Sequence, residues 1–417
     1  MTTLKYRTLS RMVRLACVVL ALALSLGAIT PLPARAQTFK TLYSFTGVND
    51  GGNPNGPMAM DAEGNLYSVA NVSQDGTGAG TVFRLDSSSE LTVLHPFGGE
   101  AQGDGAWGSS GVIRDGTGNL YGTTWGGGYN NQGVVFEVRA SGKEHVLHRF
   151  SGGNDGMEPT AGLVHDGAGN LYGTTGGGGN CAQCGTVFKL DKAGRETVLY
   201  RFKGPPDAGN VLTGNLVLDA NGNLYGVSYF GGLTTGCIAP KAGCGTFFEL
   251  SPNGKGGWKE RVLYRFKGGA DGAYPHSGLV RDAKGNFYGS TDWGGNTACR
   301  NYGCGTVFKL DSTGKETVLY RFTGGSDGSE PGNVLALDTQ GNLYGTAPTG
   351  GSNACDFGCG TAFKLDTNSG KLTVLHAFDG TDGAHPSALL LNAVGKLDGV
   401  TPEGGASGWG TVFEITP

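Results

Sequence analysis

Seven aspartates, Asp50, Asp104, Asp155, Asp207, Asp271, Asp327 and Asp382, recur once per repeat, most of them in Asp-Gly-x-x-Pro. Carboxylates gathered around one mouth would take a hard cation through oxygen ligands, Ca2+ foremost. Asp155, Asp271, Asp327 and Asp382 are the positions on which that metal reading rests. A second reading needs no metal: an aspartate before glycine shapes a turn, and the proline fixes entry into the next strand. His276 and His385 sit in the same segments near Asp271 and Asp382, which makes a His/Asp site conceivable there. Other recognised catalytic patterns are missing from the sequence: it has no G-x-S-x-G, no H-E-x-x-H and no Walker loop. The run Gly176 to Gly179 is no phosphate cradle, because no helix-forming stretch follows it.

Cysteine offers a second chemistry. Cys17 aside, eight cysteines fall in four close pairs, Cys181/Cys184, Cys237/Cys244, Cys299/Cys304 and Cys355/Cys359, each in the same glycine-rich loop of its own repeat. Even, locally paired cysteines in an exported chain predict disulfides. Closing so short a loop removes little chain entropy, so the expected role is to fix the loop's shape. Zinc would require two pairs to meet, and none has a histidine in its loop. A redox C-x-x-C lacks its βαβ setting around Cys181.

Aromatic residues break the repeat symmetry. Trp125, Tyr229, Phe230 and Trp293 stand at the tips of loops that are otherwise glycine, with Trp107 and Trp409 in neighbouring segments. Aromatics on a rigid concave face stack on sugar rings or on partner side chains. The competing reading is that they cover glycines and close gaps between repeats.

The elements that carry these residues repeat as a set. Gly-Asn-Leu-Tyr-Gly or a close variant begins at Gly64, Gly118, Gly169, Gly222, Gly285, Gly341 and Gly395, at intervals of 51 to 63 residues. Four short runs rich in β-branched and aromatic residues surround each copy; in the third they are 161–166, 170–175, 185–190 and 196–202. Asp-x-x-Gly-Asn and Asp-x-x-Gly link them as tight hairpins. Four antiparallel strands in a unit of this length are a propeller blade, and seven copies predict an all-β, seven-bladed β-propeller. Beyond residue 36 the first strand pattern is of the fourth type (41–45) and the last is of the third type (410–415). The N-terminal strand should therefore complete the C-terminal blade and close the ring.

Residues 1–36 read as a secretory signal peptide: a basic start at Lys5, Arg7, Arg11 and Arg14, an apolar core, then Ala34-Arg35-Ala36. Residues 37–417 would form a single propeller domain, secreted or periplasmic, monomeric, and without membrane insertion. Five of the 31 Lys+Arg lie in the leader, leaving 26 against 35 acids, a net charge of about −9. That balance excludes a nucleic-acid footprint and disfavours anionic membranes.

Tyr172-Gly173-Thr174-Thr175, a glycine-rich loop, then Gly185-Thr186-Val187-Phe188-Lys189-Leu190 resemble the GloVer-type tandem repeats of exported bacterial "choice-of-anchor" proteins. The resemblance covers nearly all of residues 39–417 and implies an extracellular repeat protein. More loosely, Asp-x-x-Gly-Asn-Leu-Tyr is similar to turns of NHL-type and gluconolactonase-type propellers. The leading functional expectation is a secreted binding or scaffold module rather than an enzyme. It would present a loop-rich face with Trp125, Tyr229, Phe230 and Trp293 to a glycan, a cell-envelope polymer or a protein. The alternative is a metal-dependent hydrolase or lactonase with a divalent cation on the propeller axis.

Overall fold

The Asp-x-x-Gly-Asn-Leu-Tyr stretch explains itself at atomic detail in the computed structural model, which describes residues 37–72, 78–206, 214–237, 242–296, 298–299, 302–332 and 334–417. Asp166 Oδ1 accepts the backbone N–H groups of Ala168 and Asn170, each at 2.9 Å. Its Oδ2 accepts the Asn170 amide at 2.7 Å and the Tyr172 hydroxyl at 3.0 Å. One side chain thus ties the turn to the strand that follows. Gly169 supplies the positive φ (79°) that the turn needs.

Each such turn joins the first two strands of a four-stranded antiparallel blade. In blade 3 the strands are Val164–His165, Leu171–Thr175, Thr186–Leu190 and Glu196–Arg201, paired in that order. Seven such sheets, the fifth with its first strand split into Ala273–Pro275 and Val280–Arg281, form a seven-bladed β-propeller. Blade 7 takes Ala388–Leu391, Leu397–Thr401 and Thr411–Thr416 from the C-terminus and Thr38–Ser44 from the N-terminus. Register runs from Thr38 opposite Thr416 to Ser44 opposite Thr411, so the ring closes through a β-ladder as expected.

Two features repeat in all seven blades. Each fourth strand carries a β-bulge at a leucine, as at Leu199, where Val187 opposes Tyr200 and Phe188 opposes Val198; the others fall at Leu42, Leu94, Leu147, Leu263, Leu319 and Leu375. The extra residue re-aims the following Tyr or His. A phenylalanine ending the fourth strand then meets, edge to face, the third-strand phenylalanine of the next blade. The pairs are Phe45–Phe83, Phe97–Phe136, Phe150–Phe188, Phe202–Phe248, Phe266–Phe308, Phe322–Phe363 and Phe378–Phe413, at 5.0–5.3 Å between centroids. All of these rings are buried. Each contact adds roughly 0.5–1.5 kcal/mol beyond its burial, and together they weld blade to blade around the circle. The second-strand glycine makes room for them: a Cβ on Gly173 would meet Phe188 Cζ at 2.6 Å, and one on Gly289 would meet Phe308 Cζ at 2.7 Å.

The first strands are shorter than the 161–166 pattern suggests, two residues in blades 3, 4 and 6. Residues just ahead of them bond around the axis instead of within their own blade. The Gly162 N–H donates to Asn215 Oδ1 of blade 4 at 2.6 Å, and Thr123 Oγ1 of blade 2 donates to the Ala161 carbonyl at 3.2 Å.

Candidate functional site

Between blades the chain runs through the Asp-Gly-x-x-Pro segment, and the residue before the proline adopts a left-handed conformation. It is Asn53 (φ 53°), Glu158 (56°), Tyr274 (60°), Glu330 (59°) and His385 (57°), with Trp107 (57°) in the variant segment of blade 2. Non-glycine residues avoid that region unless the surroundings enforce it. The enforcement is one repeated hydrogen bond: each of these N–H groups donates to a carbonyl just ahead of the preceding blade's third strand. Trp107 bonds Ala79 (2.7 Å), Glu158 bonds Gln132 (2.9 Å), Tyr274 bonds Cys244 (2.8 Å), Glu330 bonds Cys304 (2.9 Å), His385 bonds Cys359 (2.9 Å) and Asn53 bonds Trp409 (2.8 Å). Six side chains of five chemical kinds are thus mounted on one backbone geometry.

These segments surround a cavity of about 350 Å³ on the propeller axis, to which every blade contributes: Asn55, Trp107, Thr160, Asn215, His276, Val334 and Ser387 in blade order. Trp125 joins from the second strand of blade 2. The Trp107 and Trp125 rings lie 5.6 Å apart, tilted by 51°, and are 41% and 42% exposed. The Trp107 indole lies over Gly126, whose missing side chain gives it space. Asn71 Oδ1 and Ser387 Oγ are buried atoms at this cavity with no hydrogen-bond partner.

Three blades further round, His276 Nδ1 stands 3.8 Å from Asp292 Oδ1. Burial pushes Asp292 up to about 6, with Glu330 adding to the effect and His276 and the Tyr229 phenol opposing it. Gly332 makes the pair fit, since a Cβ there would meet Asp292 Oδ1 at 2.7 Å and His276 Nδ1 at 2.9 Å. Sequence spacing pointed His276 toward Asp271. That carboxylate is instead taken by the Tyr264 hydroxyl (2.6 Å) and the Lys267 N–H (2.8 Å). His385 likewise faces the Pro348 carbonyl (2.9 Å) and Glu403 (3.6 Å) rather than Asp382. Asp292 was missed in sequence because it occupies a position that is Asn71, Trp125, Gly176, Tyr229, Pro348 or Pro402 elsewhere.

Of the other aromatic candidates, Tyr229 stacks on Tyr274 (5.1 Å), meets Phe230 edge-on (4.9 Å) and touches His276 (5.6 Å). Trp293 sits edge-on to Tyr302 at 5.4 Å. Tyr229, Phe230 and Trp293 are all half-buried. Tyr229 and Phe230 pack with Tyr274 beside His276, whereas Trp125 opens onto the cavity.

The inter-blade aspartates bond back to the fourth strand that precedes them and to their own loop. Asp327 accepts the Tyr320 hydroxyl (3.0 Å) and the Thr323 N–H (2.9 Å); Asp382 pairs with His376 Nε2 (2.6 Å). Asp155 accepts the Ser151 N–H (2.6 Å) beside His148. Burial works against the Asp155 charge, yet His148, Glu196 and the Ser151 N–H hold it well below the ordinary carboxylate range. Asp207 lies outside the described residues.

All four cysteine pairs are disulfides, Cys181–Cys184, Cys237–Cys244, Cys299–Cys304 and Cys355–Cys359, with Cα atoms 5.0–5.3 Å apart. In each bridge the second cysteine is buried.

The sequence pattern of the Gloeobacter/Verrucomicrobia repeat matches residues 23–240 and 237–417. The chain belongs to that repeat family. No curated protein sequence matches it. Among solved structures, a streptogramin B lyase superposes with a TM-score of 0.57 at 13% identity, over 91% of this chain and 97% of that one. The extracellular domain of a hybrid two-component system from B. thetaiotaomicron gives 0.57 at 12%, over 91% of this chain and 41% of that one. PorZ, a bacterial surface component of the type-IX secretion system of Porphyromonas gingivalis, gives 0.54 at 17%, over 90% and 48%. At these identities the likeness is one of fold. Among the described residues no helix is long and apolar enough to cross a membrane.

Proposed function

We propose that the protein is an exported binding module whose axial mouth takes a polar, hydroxyl-rich ligand, a sugar unit of a glycan or cell-envelope polymer. The observation that carries this reading is the cavity to which all seven blades contribute, flanked by the Trp107–Trp125 pair. Its volume of about 350 Å³ lies in the range of small-molecule sites. The two indoles offer apolar faces for a pyranose ring. Asn55, Asn71, Asn215, Thr160, His276 and Ser387 supply hydrogen-bonding groups around it. A rigid ring of strained positions favours binding, because little order has to be imposed on the protein when ligand arrives.

Four disulfides accord with an extracellular or envelope protein, and the leader at residues 1–36 would direct its export. PorZ, with the same fold, is a bacterial surface component. The test is a thermal-shift screen of purified residues 37–417 against soluble polysaccharides and peptidoglycan fragments. A ligand that binds only the folded state raises the melting temperature. A flat response across the panel counts against this reading.

A further inference from the structure

Two blade junctions carry a cluster that the binding face does not use. His95, Asp104 and Glu144 meet between blades 1 and 2; His148, Asp155 and Glu196 meet between blades 2 and 3. In each, one nitrogen and one oxygen from each carboxylate lie within 4.8 Å of one another. Glu144 Oε1 and Glu196 Oε1 are buried without a hydrogen-bond partner, while His95 Nε2 stands 3.0 Å from Asp104 Oδ2 and His148 Nε2 3.3 Å from Asp155 Oδ1. We propose that each cluster is a binding site for a divalent transition cation such as Zn2+, which ties the fourth strands of adjacent blades together.

The chemistry of the donors favours this choice. One imidazole and two carboxylates form an N/O set suited to Zn2+ or its neighbours, with room left for water. Two carboxylates so close require a positive charge or a proton between them, and a dication balances both.

The other junctions serve as internal controls. Between blades 4 and 5 the same two carboxylate positions are Asp271 and Glu316, but the third member is Tyr264, whose hydroxyl donates to Asp271 at 2.6 Å. A neutral phenol fills the place with a hydrogen bond, where an imidazole nitrogen offers a ligand lone pair. Between blades 6 and 7 histidine returns as His376, but Phe39 stacks on it at 3.7 Å where a glutamate would stand. The cluster of His, Asp and Glu at these positions is confined, among the described residues, to the two junctions named.

Their position agrees with the distribution of other fastenings. Blades 3 to 6 each hold a disulfide, and blade 7 is closed by the N-terminal strand. Blades 1 and 2 have no cysteine, and these two supply the histidines. The fourth strand of blade 2, Glu144–Arg149, gives Glu144 to one cluster and His148 to the other.

The experiment uses untagged residues 37–417, stripped with EDTA, exchanged into metal-free buffer and titrated with Zn2+ by calorimetry, with Ca2+ as a comparison. Two equivalents of Zn2+ are expected, accompanied by a higher melting temperature. His95→Tyr and His148→Tyr install the residue that sibling blades already use there, so both variants should fold. Each should lose one equivalent, the double variant should lose both, and Glu316→Gln should lose none. No binding in the wild type overturns the proposal, as does binding that survives in the double variant. A single equivalent lost in only one variant overturns the paired arrangement. Glycan binding at the axial mouth is independent of all these outcomes.

Discussion

Asp398 stands where the six other blades carry a tyrosine, Tyr67, Tyr121, Tyr172, Tyr225, Tyr288 and Tyr344. In those blades the tyrosine hydroxyl donates to the turn aspartate. In blade 7 the polarity is reversed, and the Asn392 amide donates to Asp398 at 3.1 Å. Burial pushes Asp398 up to about 6, and the Glu414 charge adds to it. A carboxyl whose folded pKa exceeds its unfolded value binds a proton more tightly in the native state. Its stabilising effect is therefore full below about pH 4 and is lost as pH rises to about 6. Two pH units correspond to about 3 kcal/mol, so Asp398→Asn should stabilise the protein at pH 7 by up to about 3 kcal/mol. Chemical denaturation at pH 4 and pH 7 checks this: the wild type should lose stability across that interval, and the variant should lose less. Other residue-level features were legible only in part. Trp125 stood out because it interrupts glycine, and it does reach the cavity. Tyr229, Phe230 and Trp293 stood out for the same reason, but whether a loop-tip aromatic faces solvent or Tyr274 depends on the next blade. No local spacing encodes that.

The strands, hairpins and disulfide loops could be read from short-range pattern, because each depends on residues close in sequence. The left-handed residue before the proline could not. A residue preceding proline ordinarily takes an extended conformation, and the left-handed state here is imposed by a carbonyl of the preceding blade. That contact joins element to element and gives the disulfides a further role. The carbonyls of Cys244, Cys304 and Cys359 accept the N–H groups of Tyr274, Glu330 and His385, so each bridge steadies an anchor for the axial rim. Replacing Cys299 and Cys304 together with serine should cost about 2 kcal/mol by loop-closure entropy. It should also speed hydrogen exchange at the Glu330 amide, while the Trp107 amide, bonded to Ala79 in a loop without cysteine, keeps its protection. Equal protection at both amides in the variant would detach the bridges from the rim.

At the scale of the whole molecule, the fold follows from repetition. Seven near-identical units, each unable to bury its faces alone, pack into a circle through seven phenylalanine contacts and one shared blade. Closure leaves no terminal blade with an unpaired edge. Removing residues 37–44 would expose the outer edge of Thr411–Thr416, and light scattering should then report more self-association than the intact protein shows. The measurement that bears most directly on the binding reading is calorimetric titration of the best ligand from the glycan screen into wild type, Trp125→Ala and Phe357→Ala. Trp125 lines the axial cavity, whereas Phe357 is 71% exposed on a disulfide-closed loop. Truncating an aromatic anchor that the bound ligand would cover should weaken binding about 10-fold or more, and the Phe357 change should leave affinity as it was. Unchanged affinity in Trp125→Ala, or a loss confined to Phe357→Ala, would contradict the axial mouth as the binding site.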